Sequence, residues 1–247
     1  MDGTFTLSLC CPLPRAAFDV SGPTSTDEIL EMERLLDGAG DFVLFPEGFL
    51  SHGNLDRATQ RVRASGRWAS VGVEEADGAL SVVVISPDGE IRLRHQKTAL
   101  TDGDLDAGRV PGSGYQILET PFGVIGTPLC YEIHFPEISR IFSMLGAQIL
   151  LNPVGTGMWH ELQLSQWTTV ARARAIENGV FVAGCTHCCG AIPMAYAYRP
   201  DGAELGFIRD SKERLTVTID TGLLPPQDWR RHRTPELYGK LNEVFDE

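Results

Sequence analysis

Cys130 is the residue of this sequence whose type and position best suit covalent chemistry. It follows the short apolar stretch 123–129 and precedes a polar segment that contains Glu132 and His134 and stops at Pro136. At the end of a strand and close before a helix, a side chain can face a cleft while the next backbone amides point at whatever binds there. A thiol in that position is a candidate nucleophile if the chain supplies a base and an oxyanion donor. The alternative is a small buried apolar residue, as most free cysteines are.

Two charged residues also lie at the ends of predicted strands. Glu47 follows the continuous apolar run 42–45, which predicts a strand buried on both faces. A carboxylate is costly to bury there without a partner, and burial raises the pKa of a carboxyl group toward the range of a general base. Lys97 follows the alternating stretch 90–95. The alternatives are a helix-capping or surface glutamate and a solvated lysine.

The pattern of apolar residues predicts alternating strands and helices around these positions. Predicted strands are residues 5–9, 42–45, 69–73, 79–85, 90–95, 124–125, 147–151 and a stretch beginning at 180. One predicted helix follows the capping residues 24–27. The others cover residues 54–66, 137–145, 164–178 and the tail 228–241. Residues 194–198, a turn at 200–202 and residues 214–219 predict a further hairpin.

Length and composition limit the class of protein. The 247 residues are 43% apolar, and no linker or internal repeat divides them, so we expect a single domain over residues 1–247. With 21 basic and 33 acidic residues the net charge is −12, which argues against nucleic acid and anionic membranes as partners. No apolar run reaches the roughly 18 residues of a membrane span, and residues 1–11 lack the basic start of a signal peptide. We therefore expect a soluble, cytoplasmic protein.

The cysteines raise the question of disulfides and metal. They are Cys10, Cys11, Cys130, Cys185, Cys188 and Cys189. A long acidic chain without a signal peptide favours reduced thiols. Three of the cysteines and His187 fall within residues 185–189, which invites a zinc site. Their spacing is too tight for a tetrahedral zinc finger and no second cysteine pair follows, so we expect no metal.

Glu47, Lys97 and Cys130, each at the end of a separate strand, resemble the Glu-Lys-Cys triad of the nitrilase superfamily, a group of carbon–nitrogen hydrolases. The matching segments are the strand into Pro46-Glu47, the Pro-Asp-Gly turn at 87–89 with the strand into Lys97, Gly-x-x-x-Cys-Tyr-Glu-Ile-x-Phe-Pro-Glu at 126–137, Leu-Leu-Asn-Pro at 150–153, Arg-Ala-Arg-Ala-Ile-Glu-Asn-Gly at 172–179 and Arg-Thr-Pro-Glu-Leu-Tyr at 233–238. The resemblance covers nearly the whole chain. It implies a four-layer α-β-β-α sandwich of two mixed β-sheets, with the triad at one end of the sheets.

The resemblance also implies a role for each residue. Cys130 attacks an amide or nitrile carbon, and Glu47 takes the thiol proton, protonates the leaving amine and activates the hydrolytic water. Lys97 remains cationic and stabilises the tetrahedral oxyanion beside the backbone N–H of Tyr131. No metal or organic cofactor is implied. Similar proteins pack their C-terminal tails on a partner subunit, so we expect a homodimer or a higher homo-oligomer.

One part of the family's pattern is missing. Many members carry a further glutamate seven or eight residues past the lysine, which orients the substrate and nucleophile. Here residues 101–106 offer only Asp104 or Asp102, with Asp104 closer to the family's spacing and Gly103 able to bring the backbone nearer. The alternative is a solvated acidic loop. Further pocket candidates are Glu132, His134, Asn152 and Trp159; the alternatives are a structural role for His134 and a core position for Trp159.

The expected activity is hydrolysis of a small carboxamide through a thioester on Cys130. An amidase is favoured over a true nitrilase because Tyr131 stands where nitrilases usually have tryptophan. An N-acyltransferase with the same triad is an alternative, although the acyltransferases with a similar motif carry membrane helices. A non-catalytic binding protein of the same fold is another alternative. The three retained triad residues weigh against it, since a buried unpaired lysine and glutamate have no use there.

Overall fold

Two β-sheets with helices packed against them make up the structure. The computed structural model describes residues 3–13, 28–188, 192–209, 214–226 and 232–242. The strands are β1 Thr4–Cys10, β2 Phe42–Leu44, β3 Leu50–Ser51, β4 Trp68–Glu74, β5 Leu80–Ile85, β6 Ile91–Gln96, β7 Ile117–Thr120, β8 Gly123–Gly126, β9 Ile149–Pro153, β10 Phe181–Cys185, β11 Ala195–Tyr198, β12 Glu204–Ile208 and β13 Arg214–Asp220. The helices are α1 Glu28–Leu36, α2 Leu55–Ser65, α3 Asp102–Asp106, α4 Pro136–Leu145, α5 Glu161–Asn178 and α6 Pro235–Tyr238.

Both sheets are mixed. The first has the order β13-β1-β2-β4-β5-β6, with β3 also pairing with β4, and the second has the order β12-β11-β10-β9-β8-β7. In each sheet the central pairs are parallel, β1 with β2 and β2 with β4 in one, and β8 with β9 and β9 with β10 in the other. Antiparallel pairs flank them on both sides. Central parallel strands with both faces covered agree with the continuous apolar runs that predicted β2 and β9.

Three clusters of buried apolar side chains define the layers. The first contains Leu7 of the first sheet and Ile149 of the second, and it lies between the two sheets. The second contains Met32 and packs α1 and α2 on the first sheet. The third contains Phe142 and packs α4 and α5 on the second sheet. Each sheet thus has one face on the other sheet and one on helices, and the predicted α-β-β-α sandwich is confirmed.

Most predicted elements occur with their ends shifted by a few residues, but the last hairpin was wrong. β11 pairs with β12, whereas β13 lies in the other sheet and pairs with β1 from Thr4↔Asp220 to Cys10↔Arg214. The strand β12 was missed because its sequence, Glu-Leu-Gly-Phe-Ile, does not alternate between apolar and polar side chains. This agrees with the fold, where most of its residues are partly buried. Alternation also says nothing about which sheet a strand joins, and so the pattern of β13 could not separate the two partners.

The tail differs from the single helix predicted for residues 228–241. Its described part consists of α6 and a 3₁₀ turn, Gly239–Asn242. Pro235 stands in the first turn of α6, where its missing N–H is tolerated, and this marks the start of a new helix. The predicted caps at 24–27, the beginning of the tail at 228–231 and Cys189 lie outside the described residues. None of the helices in the described part of the chain is long and apolar enough to cross a membrane.

The strand directions bring the candidate site residues together. β6 runs parallel to β2 because two antiparallel pairings separate β6 from β4. Glu47 and Lys97 therefore follow strands that end at the same edge of the first sheet. Cys130 opens a 3₁₀ turn, Cys130–His134, soon after β8 of the facing sheet. The site thus forms where strand ends of both sheets meet, which is a common location for binding sites in layered folds.

Candidate active site

Lys97 lies between two carboxylates at the bottom of a cavity. Its Nζ is 2.9 Å from Oε1 of Glu47 and 2.8 Å from Oδ2 of Asp104, and the residue is 2% exposed. Burial lowers the pKa of Lys97, but the negative charge that Cys130 carries when its thiol is ionised, and the carboxylates of Glu47 and Asp104, outweigh burial and raise that pKa above its ordinary value. The lysine is therefore cationic and is suited to stabilising negative charge rather than to transferring a proton.

Glu47 lies on a tight turn, residues 46–48, shortly after β2. Gly48 in this turn has φ 65°, a left-handed conformation that glycine adopts without strain. The turn packs directly on Gly72 of β4, where an added Cβ atom would come within 2.2 Å of the Pro46 carbonyl oxygen and 2.4 Å of the Glu47 Cα. Glycine at position 72 thus lets the turn sit close enough to the sheet for the glutamate side chain to reach Lys97.

Cys130 has a strained backbone. Its φ is 51°, and among the described residues it is the one non-glycine residue with positive φ. Such a conformation costs roughly 1–3 kcal/mol and persists only where the surroundings impose it. Asn152 supplies part of that restraint, since its Nδ2 donates to the carbonyl oxygens of Pro128 at 2.8 Å and Cys130 at 3.1 Å. The strained turn aims the thiol into the cavity.

Asn152 does not line the cavity, contrary to the sequence-based expectation. The side chain is fully buried behind the nucleophile. Its Oδ1 accepts from Trp167 Nε1 at 3.3 Å and from the Tyr196 hydroxyl at 2.6 Å, while its Nδ2 holds the turn. Asn152 lies on β9, and its side chain points to the helix-covered face of the sheet. Trp167 and Tyr196 thus hold the amide of Asn152 in place, and the amide nitrogen in turn restrains the turn that contains Cys130.

Glu132 is also not a pocket residue, which corrects the second expectation. It is 0% exposed, and its carboxylate accepts from the backbone N–H groups of Leu129 at 2.7 Å and Thr98 at 2.6 Å. The Thr98 hydroxyl at 2.6 Å and the His95 Nε2 at 2.8 Å complete its surroundings. Burial raises the pKa of Glu132, but the hydrogen bonds and charge of His95 and the other donors outweigh burial and lower that pKa. The carboxylate thereby connects the 3₁₀ turn Cys130–His134 to the segment that carries Lys97.

The thiol of Cys130 is protonated in the resting site. Burial raises its pKa, and the Glu47 carboxylate raises it further. The charge of Lys97 and a hydrogen bond from the backbone N–H of Gly155 lower the pKa without cancelling these effects. A thiol in this state requires a base at the moment of attack, and the Glu47 carboxylate is beside it. The backbone of Tyr131, the predicted oxyanion donor, borders the same cavity.

Gly155 is a site residue that sequence reasoning did not single out. An added Cβ atom at this position would come within 2.5 Å of Oε2 of Glu47. Its N–H contacts the nucleophile, so one glycine touches both the sulfur and the base. The sequence feature that could have identified Gly155 is the glycine-rich loop after β9, which borders the pocket in the nitrilase superfamily. The loop also contains Gly157, and the sequence pattern did not show which of the two glycines lies at the site.

Of the two candidate aspartates, Asp104 is the one whose carboxylate contacts Lys97. Oδ2 of Asp104 accepts from Lys97 Nζ and from the Thr101 backbone N–H at 3.0 Å and hydroxyl at 2.8 Å. Burial raises the pKa of Asp104, but the hydrogen bonds of Lys97 and Thr101 lower it overall, so the carboxylate is ionised. Asp102 is exposed. The segment is therefore not a solvated loop; the capped helix α3, rather than a positive φ at Gly103, brings the shorter side chain to the lysine.

The cavity above these residues has a volume of about 680 Å³. Outside the triad and α3 its wall consists of Thr101, Tyr131, His134, Val154, Gly155, Thr156, Met158, Trp159, Gln163, Gln166 and Trp167. His134 packs edge-on against Trp167 with ring centroids 4.6 Å apart, and burial together with the nearby Arg174 lowers the pKa of His134. Trp159 is 67% exposed at the mouth, so the core alternative for this residue is wrong. His134 and Trp159 lie where the pocket prediction placed them.

The cysteine-rich segment 185–189 does not form a metal site with other side chains among the residues that the structure describes. Within those residues, no group of three or more His, Cys, Asp or Glu side chains is arranged to hold a metal ion. Cys185 is buried and its sulfur lies 3.5 Å from the Leu44 carbonyl oxygen. Cys189 falls outside the described residues, and the expectation of no metal stays a prediction.

Known proteins share the sequence and fold that surround this site. The family described as carbon-nitrogen hydrolase matches residues 54–231. Omega-amidase NIT2 of Xenopus tropicalis is 34% identical over 125 residues, which cover 44% of this chain and 43% of that protein. Deaminated glutathione amidase of Bos taurus is 27% identical over 222 residues, which cover 78% of this chain and 66% of that protein. The match to the omega-amidase thus spans less than half of its length.

Solved structures agree with the fold. A carbon-nitrogen hydrolase from Helicobacter pylori G27 superimposes with a TM-score of 0.81 at 19% identity, covering 100% of this chain and 99% of that chain. An amidase from Nesterenkonia sp. AN1 superimposes with a TM-score of 0.76 at 21% identity, covering 95% of each chain. At these identities the likeness establishes the shared sandwich fold.

Proposed function

The chain belongs to the carbon-nitrogen hydrolase family, and we propose that it hydrolyses a small carboxamide through a thioester on Cys130. One observation carries the proposal. Lys97, held between Glu47 and Asp104, lies in the same cavity as a cysteine whose strained backbone aims its thiol at them. The arrangement provides a nucleophile, a base and a fixed positive charge within one site, which are the groups that acyl transfer from nitrogen requires.

The first half of the proposed reaction forms the acyl-enzyme. Glu47 accepts the thiol proton of Cys130 while the sulfur attacks the amide carbon, and the carbonyl oxygen becomes an oxyanion. Lys97 and the backbone N–H of Tyr131 stabilise that charge, an interaction whose removal typically costs a hundredfold or more in rate. When the tetrahedral intermediate collapses, the C–N bond breaks and Glu47 donates the proton to the leaving amine. A thioester remains on Cys130.

The second half releases the acid. Glu47, again a carboxylate, takes a proton from a water molecule that attacks the thioester carbon, and Lys97 stabilises the second oxyanion. The C–S bond breaks, the proton returns to the sulfur, and the carboxylic acid leaves. Each proton is accepted and returned by the same carboxylate, so the resting site is regenerated.

Similar proteins support an amide substrate and a covalent route. Two of them are described as omega-amidase and deaminated glutathione amidase. A solved structure of a mutant of the Nesterenkonia amidase shows covalent addition of the acetamide moiety of fluoroacetamide at the active-site cysteine, which supports a cysteine nucleophile. The size of the cavity, about 680 Å³, suits a small organic substrate. The aromatic and amide side chains of its wall favour a substrate that combines apolar surface with a few hydrogen-bonding groups.

The proposal is tested by measuring ammonia release from a panel of simple primary amides. We expect release by the wild-type chain, at least a hundredfold less by Glu47→Gln, and none above background by Cys130→Ala. Ammonia release that survives unchanged in Cys130→Ala contradicts the thioester route. Binding of amides without turnover favours a binding protein, and product formation that requires an added amine acceptor favours an acyltransferase. Turnover of nitriles but not of amides favours a nitrilase.

We also propose that the chain assembles into a homodimer or a higher homo-oligomer. Exposed apolar side chains on α4, α5 and the tail support this proposal; they are Ile141, Met144, Leu145, Ile176, Leu237 and Leu241. Ile141 and Leu241 line one surface groove, and apolar side chains gathered on one surface are more typical of an interface than of a solvated face. Light scattering on the eluate of a size-exclusion column measures the mass directly, and a mass of one chain at all protein concentrations contradicts the proposal.

A further inference from the structure

Residues 46–48, which carry the proposed base Glu47, are called the base turn. His187 contacts this turn from outside the cavity. The residue lies two positions after the end of β10 and is 2% exposed. Its Nε2 lies 3.0 Å from the backbone carbonyl oxygen of Glu47, and its Nδ1 lies 3.2 Å from that of Leu13. Its ring stacks on Phe49 with centroids 6.4 Å apart. His187 is not part of the cavity wall, so it touches the backbone of the proposed base and not the substrate.

The segment that carries His187 is held in place on both sides. The Cys185 carbonyl accepts from the N–H of Val154 at 2.9 Å, at the start of the loop that contains Gly155. The N–H of Thr186 donates to the Met194 carbonyl at 3.0 Å, and the N–H of Cys188 donates to the Pro12 carbonyl at 2.8 Å. Backbone hydrogen bonds thus tie residues 185–188 to the loop after β9, to Met194 and to Pro12. The imidazole is presented from a rigid support.

The peptide that His187 contacts is the one that most needs a restraint. The Glu47 carbonyl belongs to the peptide between Glu47 and Gly48, and Gly48 has φ 65°. Glycine adopts positive and negative φ with similar ease, so this peptide can rotate unless its carbonyl is held. A buried carbonyl without a donor also costs free energy. Rotation of the peptide displaces the Glu47 side chain, whose carboxylate must stay beside both Cys130 and Lys97.

We propose that His187 is a positioning residue, whose Nε2–H donates to the Glu47 carbonyl and holds the proposed general base in place for proton transfer. The inference rests on the proposed role of Glu47. It also assigns a role to the segment 185–189, whose cysteines and histidine had suggested metal: the histidine is retained for a hydrogen bond to the base turn. Both ring nitrogens face carbonyl oxygens, and only a nitrogen that carries a proton can donate, so the proposed contact requires a proton on Nε2.

Two conservative variants separate the two ends of the ring. In His187→Gln the side-chain amide nitrogen reaches the position of Nε2 and can donate to the Glu47 carbonyl. In His187→Asn it reaches only the position of Nδ1, near the Leu13 carbonyl. Both variants lose the ring and its stacking on Phe49, so they are matched in what they remove from the core. Three quantities are measured for each: kcat and KM on the best amide, the rate of Cys130 alkylation by iodoacetamide, and the midpoint of thermal unfolding.

We expect His187→Asn to lower kcat about ten- to a hundredfold with little change in KM, because a displacement of about 1 Å in a reacting group can cost a hundredfold. His187→Gln is expected to stay within about threefold of the wild type at a similar midpoint of unfolding. Alkylation of Cys130 should slow in the asparagine variant and not in the glutamine variant. Equal losses in the two variants, full activity in the asparagine variant, or failure of both to fold overturns the inference.

The alkylation rate distinguishes this inference from the proposed function. Suppose that the wild-type chain hydrolyses no amide, but that alkylation of Cys130 is slower in His187→Asn and not in His187→Gln. The positioning role then stands and the amidase proposal fails. If amides are hydrolysed through Cys130 and the two variants behave alike, the amidase proposal stands and the positioning role fails.

Discussion

Nζ of Lys97 lies 2.9 Å from Oε1 of Glu47, although the two residues follow different strands of the first sheet. An unpaired lysine with 2% exposure would lose its charge, whereas one between two carboxylates keeps it. The pairing therefore divides the chemistry between the two residues. Glu47 is left as the group that can exchange protons with Cys130, and Lys97 as the permanent cation.

Cys130 is expected to be the only catalytically reactive thiol. Burial raises the pKa of Cys10 and Cys185, and it raises the pKa of Cys11 to about 12. Cys130 differs from these three in having the Glu47 carboxylate beside its sulfur. Stoichiometric iodoacetamide followed by mass mapping should show modification at Cys130 in step with inactivation, and substrate should protect it. Inactivation that follows Cys188 or Cys189 while Cys130 stays unmodified contradicts this assignment.

Substitution of Asp104 by asparagine should lower turnover about tenfold or more. The change keeps the size of the side chain and removes the negative charge beside Lys97, so the lysine and the nucleophile lose their alignment. Asp102→Asn is the matched control, because it removes the same charge from the same short helix at an exposed position. Steady-state kinetics on the best amide measures both. Unchanged turnover in Asp104→Asn refutes the orienting role.

Alanine at position 155 should impair catalysis without a large loss of stability. Its Cβ atom would come within 2.5 Å of Oε2 of Glu47, so the carboxylate must move away from Cys130. Gly155 does not have a positive φ, and the backbone itself therefore accepts alanine. Gly53→Ala is the control, since nothing lies within 4 Å of an added Cβ atom there. We expect kcat to fall about tenfold or more in Gly155→Ala only; equal rates in the two variants are the contrary result.

Substitution of Glu132 by glutamine should destabilise the fold by about 2 to 4 kcal/mol, because a buried, fully hydrogen-bonded carboxylate loses its charge beside His95. Denaturant unfolding at pH 7 measures the loss. Glu137→Gln, an exposed carboxylate in the first turn of α4, is the control and should change stability little.

The stability contributed by Glu132 should also depend on pH. Its pKa is lowered in the fold relative to 4.5, so the unfolded chain binds the proton first as pH falls. The contribution is complete above pH 4.5 and is lost as pH falls through the lower folded-state pKa. Unfolding curves between pH 7 and pH 3 should show a steeper acid loss for the wild type than for Glu132→Gln. Parallel curves contradict the lowered pKa.

Metal is not expected to take part. Purified protein should contain much less than one equivalent of zinc, and chelators should leave amide hydrolysis unchanged, because every proposed step uses Glu47, Lys97, Cys130 and water. Elemental analysis before and after chelation measures this. A full equivalent of zinc that is lost together with activity overturns the expectation.

Local patterns in the sequence were sufficient for the parts of the site that depend on element order. Continuous apolar runs predicted the central strands before Glu47 and Asn152, and an alternating run predicted the strand before Lys97, because periodicity records which faces of an element are buried. The order of the three triad residues at separate strand ends resembled the nitrilase superfamily, and that resemblance implied that they share one end of the sheets. The same reasoning anticipated that an aspartate near position 104 could approach Lys97, and the two side chains do meet at 2.8 Å.

Other features depend on contacts between residues far apart in the chain, which periodicity does not record. Glu132 and Asn152 are polar residues next to the nucleophile, yet both point inward, because the 3₁₀ turn and the face of β9 direct their side chains away from the cavity. The contact of Gly155 with Glu47 arises only when β9 of one sheet faces β2 of the other. The same holds for the imidazole of His187 beneath the Glu47 carbonyl: a sequence pattern specifies that a residue is buried, and the packing of the two sheets specifies what it is buried against.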